Sequence, residues 1–114
     1  MSVTNNLKRG SVDILLLSLL SEEDMYGYQI SQELAKRSDG RYKLQESSMY
    51  PILYRLEDKG YISEHREAVG KRKVRVYYHI EEAGKEYLKD SLDEYFFAMT
   101  GVLKILKTRI VDDE

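Results

Sequence analysis

Apolar positions along the chain fall into six blocks separated by polar or glycine-containing breaks. The first block, Val12, Ile14, Leu15, Leu16, Leu17, Leu19 and Leu20, covers almost the whole circumference of a helix over Leu7–Leu20. A helix apolar on nearly every face must be buried on more than one side, and in so short a chain one side is expected to belong to a second subunit. Asp24 stands where an N-cap would open a second helix over Met25–Arg37, with Gly27, Ile30 and Leu34 at helical spacing and Lys36 and Arg37 in its last turn. Met49, Ile52, Leu53 and Leu56 stand at i, i+3, i+4 and i+7, which predicts a third helix over 46–59 closed by Gly60. A start at Glu46 costs that helix one hydrogen bond at Pro51.

The period then changes from 3.6 to 2. Tyr61–Glu67 and Lys73–Ile80 read as two strands, with Val74, Val76, Tyr78 and Ile80 alternating against Lys73, Arg75, Tyr77 and His79 around a turn at Gly70–Lys71. A last helix is predicted over Glu82–Ile110. Two heptad seams run along it, Leu88, Leu92, Tyr95, Met99, Val102, Leu106 and Leu92, Phe96, Met99, Leu103, Leu106, Ile110. Two adjacent seams require at least two neighbours, and a partner subunit is the expected second one. The expected fold is mainly α with a small β-hairpin: a winged helix-turn-helix over 1–80, then one long dimerisation helix and an acidic tail over 81–114. The expected dimer interface takes Leu15 and Leu16 from the first helix and Leu88, Leu92, Tyr95, Met99, Val102, Leu103 and Leu106 from the last.

Composition narrows the chemistry. The chain has 114 residues and no cysteine, which excludes disulfides, thiolate metal sites and a cysteine nucleophile. Its two histidines, His65 and His79, both fall on the hairpin, so no metal site is expected and neither histidine can serve as a base for Ser47 or Ser48. No glycine-rich phosphate loop is present, and no catalytic residue or cofactor is expected. The apolar stretch Val12–Leu20 is too short to span a bilayer and no small-residue cleavage site follows it, which makes a soluble, cytoplasmic protein the expectation. The net charge of −2 argues against nucleic acid, but its distribution does not. Residues 1–80 carry 13 Lys and Arg against 11 Asp and Glu, while residues 81–114 carry 5 against 9. Between positions 66 and 75, Arg66, Lys71, Arg72, Lys73 and Arg75 face only Glu67. Phosphate contacts are local and screened within about 10 Å, so a basic patch on an acidic body suits DNA.

The third helix buries its apolar stripe and is expected to leave Ser47, Ser48, Pro51, Tyr54 and Arg55 outward, with Tyr50 at the boundary. An α-helix fits the major groove, and hydroxyls and Arg55 suit phosphates or base edges. Lys71, Arg72, Lys73 and Arg75 would then meet the adjacent backbone or minor groove. Each feature alone is ordinary surface; their order along the chain is what points to double-stranded DNA as the partner. A winged-helix protein-interaction module is the alternative, and the salt dependence of duplex binding separates the two.

Three spaced motifs carry a family resemblance. Ser47-Ser48-Met49-Tyr50-Pro51-Ile52-Leu53-Tyr54-Arg55-Leu56-Glu57-Asp58-Lys59-Gly60-Tyr61-Ile62, Tyr26-Gly27-Tyr28-Gln29-Ile30 and Arg75-Val76-Tyr77-Tyr78-His79-Ile80-Glu81-Glu82-Ala83-Gly84 together resemble PadR-family regulators over about residues 7 to 110. Met49 replaces the usual Leu, and Glu81 stands where a Thr often caps the final helix. Room for a single C-terminal helix places the resemblance with the small subfamily. It implies a homodimeric repressor on a pseudo-palindromic operator, and some such proteins take planar or aromatic compounds at the dimer centre. Tyr95, Phe96 and Met99, beside the small pair Thr100–Gly101, either line such an effector pocket or fill the dimer core.

Overall fold

The computed structural model describes residues 3–107. The elements are α1 (Val3–Glu22), β1 (Met25–Tyr26), α2 (Gly27–Arg37), α3 (Glu46–Asp58), β2 (Ile62–Ala68), β3 (Val74–Ile80) and α4 (Glu82–Leu106). They form a mainly helical fold around a three-stranded antiparallel sheet of order β1-β3-β2.

One core holds these elements together. Leu16, Leu17 and Leu20 of α1, Met25, Ile30 of α2, Met49, Leu53 and Leu56 of α3, and Ile62 and Tyr78 of the sheet are all closed to solvent. Burial pushes the Tyr78 phenol up to about 12, with nearby Glu64 adding to the effect. Because α1 packs against α2, α4 and β3, the chain itself covers most of the helix that the sequence left looking for a partner. Leu16, expected at a dimer interface, is sealed in this core, and so is Leu88 of α4. In the single chain both are covered by the chain itself.

The second element differs from its expectation. Met25 and Tyr26 do not open the helix; they pair with Tyr78 and Tyr77 of β3. The free edge of β3 carries backbone donors and acceptors that need partners, and this short strand supplies them while delivering Met25 into the core. Asp24 consequently caps nothing. Tyr26 takes the N-cap position of α2 without a side-chain hydrogen bond, and Asp24 receives one from His79 Nδ1 at 2.8 Å.

α3 runs from Glu46 with Pro51 inside it, so the carbonyl of Ser47 lacks its usual bond from residue 51. Gly60 follows the C-cap Lys59 at φ +77, donating to Glu57 O. The hairpin is paired from Ile62↔Ile80 to Ala68↔Val74, and Val69 N–H donates to Lys73 O at its tip. Val74, expected on the core face, is exposed; only Tyr78 and Ile80 of β3 are buried. The hairpin projects beyond α3, so its outer half has no layer to cover it.

α4 begins without a side-chain cap, as the Glu81 substitution implies; the Glu81 carboxylate accepts from Ser63 Oγ. The helix ends at Leu106, where Lys107 turns left-handed at φ 51, short of the expected Ile110, which lies outside the described residues. Its N-terminal part packs on α1, and the rest extends a body measuring 55 × 29 × 28 Å. Phe96, Phe97, Val102, Ile105 and Leu106 are exposed along that extension.

Candidate nucleic-acid interface

Helix α3 presents Ser47, Ser48, Pro51 and Tyr54 to solvent while its other side holds the core. Tyr50 is half-buried. Its hydroxyl donates to Glu46 Oε2 at 3.0 Å, and its ring stacks on Tyr54 with centroids 6.3 Å apart. Burial first, and then the Glu46 carboxylate, hold the Tyr50 phenol above its ordinary range. Gly27 makes this placement possible: a Cβ there would stand 2.6 Å from the Tyr50 hydroxyl oxygen. The Tyr-Gly-Tyr element opening α2 therefore serves to seat a side chain of α3.

Between α3 and the hairpin lies an open hollow of about 580 Å³, walled by Tyr26, Tyr50, Tyr54, Arg66, Val74 and Arg75 among others. The Arg75 guanidinium sits 4.3 Å from the centroid of the Tyr26 ring, a cation–π arrangement, and its residue lies one pair in from Ala68↔Val74 at the tip of the hairpin. Three carboxylates, Glu46, Glu57 and Glu64, share this hollow. Burial, then Glu64 and Asp58, raise the Glu57 carboxyl above the usual carboxylate range. Lys71, Arg72 and Lys73 are exposed at the hairpin tip.

Arg55 points elsewhere. Its Nη2 donates to Asp13 Oδ1 of α1, on a flank where α1, α3 and α4 bound a polar cleft of about 370 Å³. Of the residues that the sequence nominates, Tyr50, Tyr54 and Arg75 are thus brought to one hollow and Arg55 is committed to an ion pair away from it. Arg66, which the sequence placed in the basic patch but not among the DNA-contact candidates, also lines this hollow. The signal was present, because Arg66 alternates with His65 and Glu67 and so shares the α3-facing side of β2 with Glu64.

A second hollow, apolar and about 690 Å³, lies between α1, the α2–α3 connection and α4. It brings Tyr95, Phe96 and Met99 together with Leu15, Tyr42 and Leu92. The Tyr95 and Phe96 rings meet edge to face at 6.0 Å. Thr100 and Gly101 do not line it. Leu103 is half-buried, while Val102 and Leu106 are exposed further along the helix. Among the described residues no His, Asp or Glu group is arranged to hold a metal ion, and no helix is long and apolar enough to cross a membrane.

Three helices followed by a two-stranded hairpin, with a polar-faced third helix beside that hairpin, define a winged helix-turn-helix protein. Residues 16–90 match the model of the transcriptional regulator PadR-like family, and the chain belongs to that family. It is 36% identical over 93 residues to an uncharacterised protein of Lysinibacillus sphaericus, covering 82% of this chain and 85% of the relative. A transcriptional regulator from Clostridium thermocellum superposes with a TM-score of 0.80 at 35% identity, covering 87% of this chain and 96% of that one. Bacillus subtilis PadR, solved in complex with operator DNA, superposes with a TM-score of 0.66 at 26% identity, covering 71% of this chain and 45% of that one.

Proposed function

We propose that this regulator acts as a cytoplasmic homodimeric repressor that grips a pseudo-palindromic operator through α3 and the wing and is released by a small aromatic effector. The observation that carries the DNA reading is the joint exposure of Ser47, Ser48, Pro51 and Tyr54 on α3 with Lys71, Arg72 and Lys73 on the neighbouring wing. The Bacillus subtilis PadR–operator complex supports it by likeness. In this reading α3 enters the major groove, and Lys71, Arg72 and Lys73 meet phosphates. Arg55 holds α3 against α1 through Asp13 and makes no base contact.

Each phosphate contact releases condensed counterions on binding. Replacing Lys71, Arg72 and Lys73 together with Ala is therefore expected to lower the salt slope of duplex binding by about 3 and to weaken all sequences alike. The measurement is duplex affinity against salt for wild type and triple mutant. An unchanged slope would mean that the tip is a solvated turn and would favour the protein-interaction reading.

The dimer reading rests on the exposed apolar length of α4 beyond Tyr95. The effector reading rests on the aromatic and methionine lining of the apolar hollow. Calorimetry with a panel of planar aromatic compounds is expected to find a binder whose affinity changes on Tyr95→Ala. Absence of binding across the panel would mean that these residues only pack. A ligand releases DNA only by favouring one spacing of the two recognition helices over another.

A further inference from the structure

The only two histidines of the chain stand on the same face of the sheet, the face turned away from α3. His65 of β2 lies opposite Tyr77, and His79 of β3 lies opposite Ser63. Both turn toward one carboxylate. Asp24 Oδ1 is 2.8 Å from His79 Nδ1, and Asp24 Oδ2 is 4.0 Å from His65 Nε2. His65 Nε2 also meets Glu67 Oε2 at 2.8 Å. An ionised carboxylate only accepts, so the proton sits on Nδ1 of His79 and on Nε2 of His65. The groups around the pair are Asp24 and Tyr26 on the β1 side, Ser63 and Glu67 on β2, Arg75 and Tyr77 on β3, and Glu81 beyond it. Three carboxylates thus face one guanidinium, and that guanidinium is held on Tyr26. His65 also stacks on Tyr77, with centroids 5.6 Å apart.

Asp24 immediately precedes β1, the strand that leads into α2, whereas the histidines belong to the hairpin. The contacts of His79 and, at 4.0 Å, of His65 with Asp24 therefore span the joint between the wing and the helix-turn-helix, while the His65–Glu67 contact stays within β2. We propose that Asp24, His65 and His79 form a proton-operated clamp that fixes the wing against the helix-turn-helix and tightens DNA binding as pH falls. Histidine is the side chain whose charge changes between about pH 5 and 8. When both rings are neutral a single hydrogen bond, from His79 to Asp24, crosses the joint, because His65 at 4.0 Å lies beyond hydrogen-bond reach of that carboxylate. When both are cationic, each contact to Asp24 or Glu67 becomes an ion pair and the wing gains two positive charges. All partners are partly exposed, so each pair contributes modestly, about threefold in an equilibrium constant.

The inference rests on the DNA-binding reading for its functional consequence but not for the clamp itself, and the experiment separates the two. The first arm measures affinity for a mixed-sequence duplex of about three helical turns at fixed salt from pH 8 to pH 5.5. Wild type is expected to tighten by about tenfold, two contributions of about threefold. His65→Gln/His79→Gln is expected to show a flat profile. Asp24→Asn keeps both histidines and is expected to lose most of the response. A full response in Asp24→Asn would overturn the clamp, since net charge alone would then explain it. The second arm uses no DNA. Amide-exchange protection factors of the β1–β3 ladder are expected to rise at pH 5.5 in wild type and to stay level in Asp24→Asn. Level wild-type factors would also overturn the clamp. Rising factors without duplex binding at any pH would uphold the clamp and remove the DNA reading.

Discussion

A chain carrying Leu92→Lys and Met99→Lys together is expected to sediment as a folded monomer and to lose operator affinity by about a hundredfold or more. Leu92 and Met99 are half-buried in the single chain, where they line the apolar hollow between α1 and α4. A lysine at either place can carry its head to solvent while the chain is alone, so the fold survives. In the proposed dimer the same heads would enter an interface continuous with the exposed Phe96, Val102 and Leu106. Four charges would then lose water with no opposite charge to meet them. Operator affinity falls with the dimer because two half-sites held by one rigid body bind far more tightly than one, by about 10²–10⁴-fold. Sedimentation velocity with far-UV circular dichroism separates the outcomes. A double mutant that is still a folded dimer would exclude this face of α4 as the interface. An unfolded one would mean that the hollow belongs to the core of the single chain.

What the sequence made legible follows from the range of the interactions concerned. The α3 stripe of Met49, Leu53 and Leu56 was readable because a period of 3.6 lies within one helix and needs no tertiary information. The hairpin was readable for the same reason, its alternation lying within seven-residue strands. β1 was not, because two residues carry no period, and Met25–Tyr26 becomes a strand only when β3 offers it an edge. Leu16 and Leu88 illustrate a related limit. Periodicity shows that a position is apolar and on which face it lies, but not whether the chain itself or a partner covers that face. For α1 the chain does; for the second half of α4 it does not.

The candidate site divides in the same way. Exposure of Ser47, Ser48, Pro51 and Tyr54 follows from the helical wheel once the apolar stripe is fixed. The pairing of Arg55 with Asp13 joins residues 42 apart, and that of His79 with Asp24 joins residues 55 apart. Neither has a local signature, and both redirect residues whose types alone suggest other roles. Arg55 is a good phosphate ligand in isolation, and Asp24 is a good N-cap in isolation.

Gly84 gives the sharpest test of how the wing is anchored. Substituting Ala there is expected to destabilise the chain by about 3 kcal/mol, at the upper end of the usual cost of overpacking. The residue is the third of α4 and is buried. A Cβ would stand 2.1 Å from the carbonyl oxygen of Tyr61 and 2.9 Å from Cγ1 of Ile80. The nearest obstacle is backbone, so no side chain can swing aside. That carbonyl also accepts from Glu81 N–H at 2.9 Å, and the Tyr61 ring stacks on Tyr87 with centroids 4.5 Å apart. To admit the methyl group, the start of α4 must lift off the strand that begins the wing, giving up that hydrogen bond and the ring stack together. Against this stands the helix preference for Ala over Gly, about 1 kcal/mol, which is too small to reverse the sign. Calorimetric melting should show a fall in Tm of more than about 10 °C. Gly101→Ala supplies the contrast, since nothing lies within 4 Å of a Cβ at that exposed position in α4. There the helix preference acts alone, and a gain of about 0.5–1 kcal/mol is expected. If Gly84→Ala melted at or above the wild-type temperature, the close seating of α4 on the wing root would be disproved.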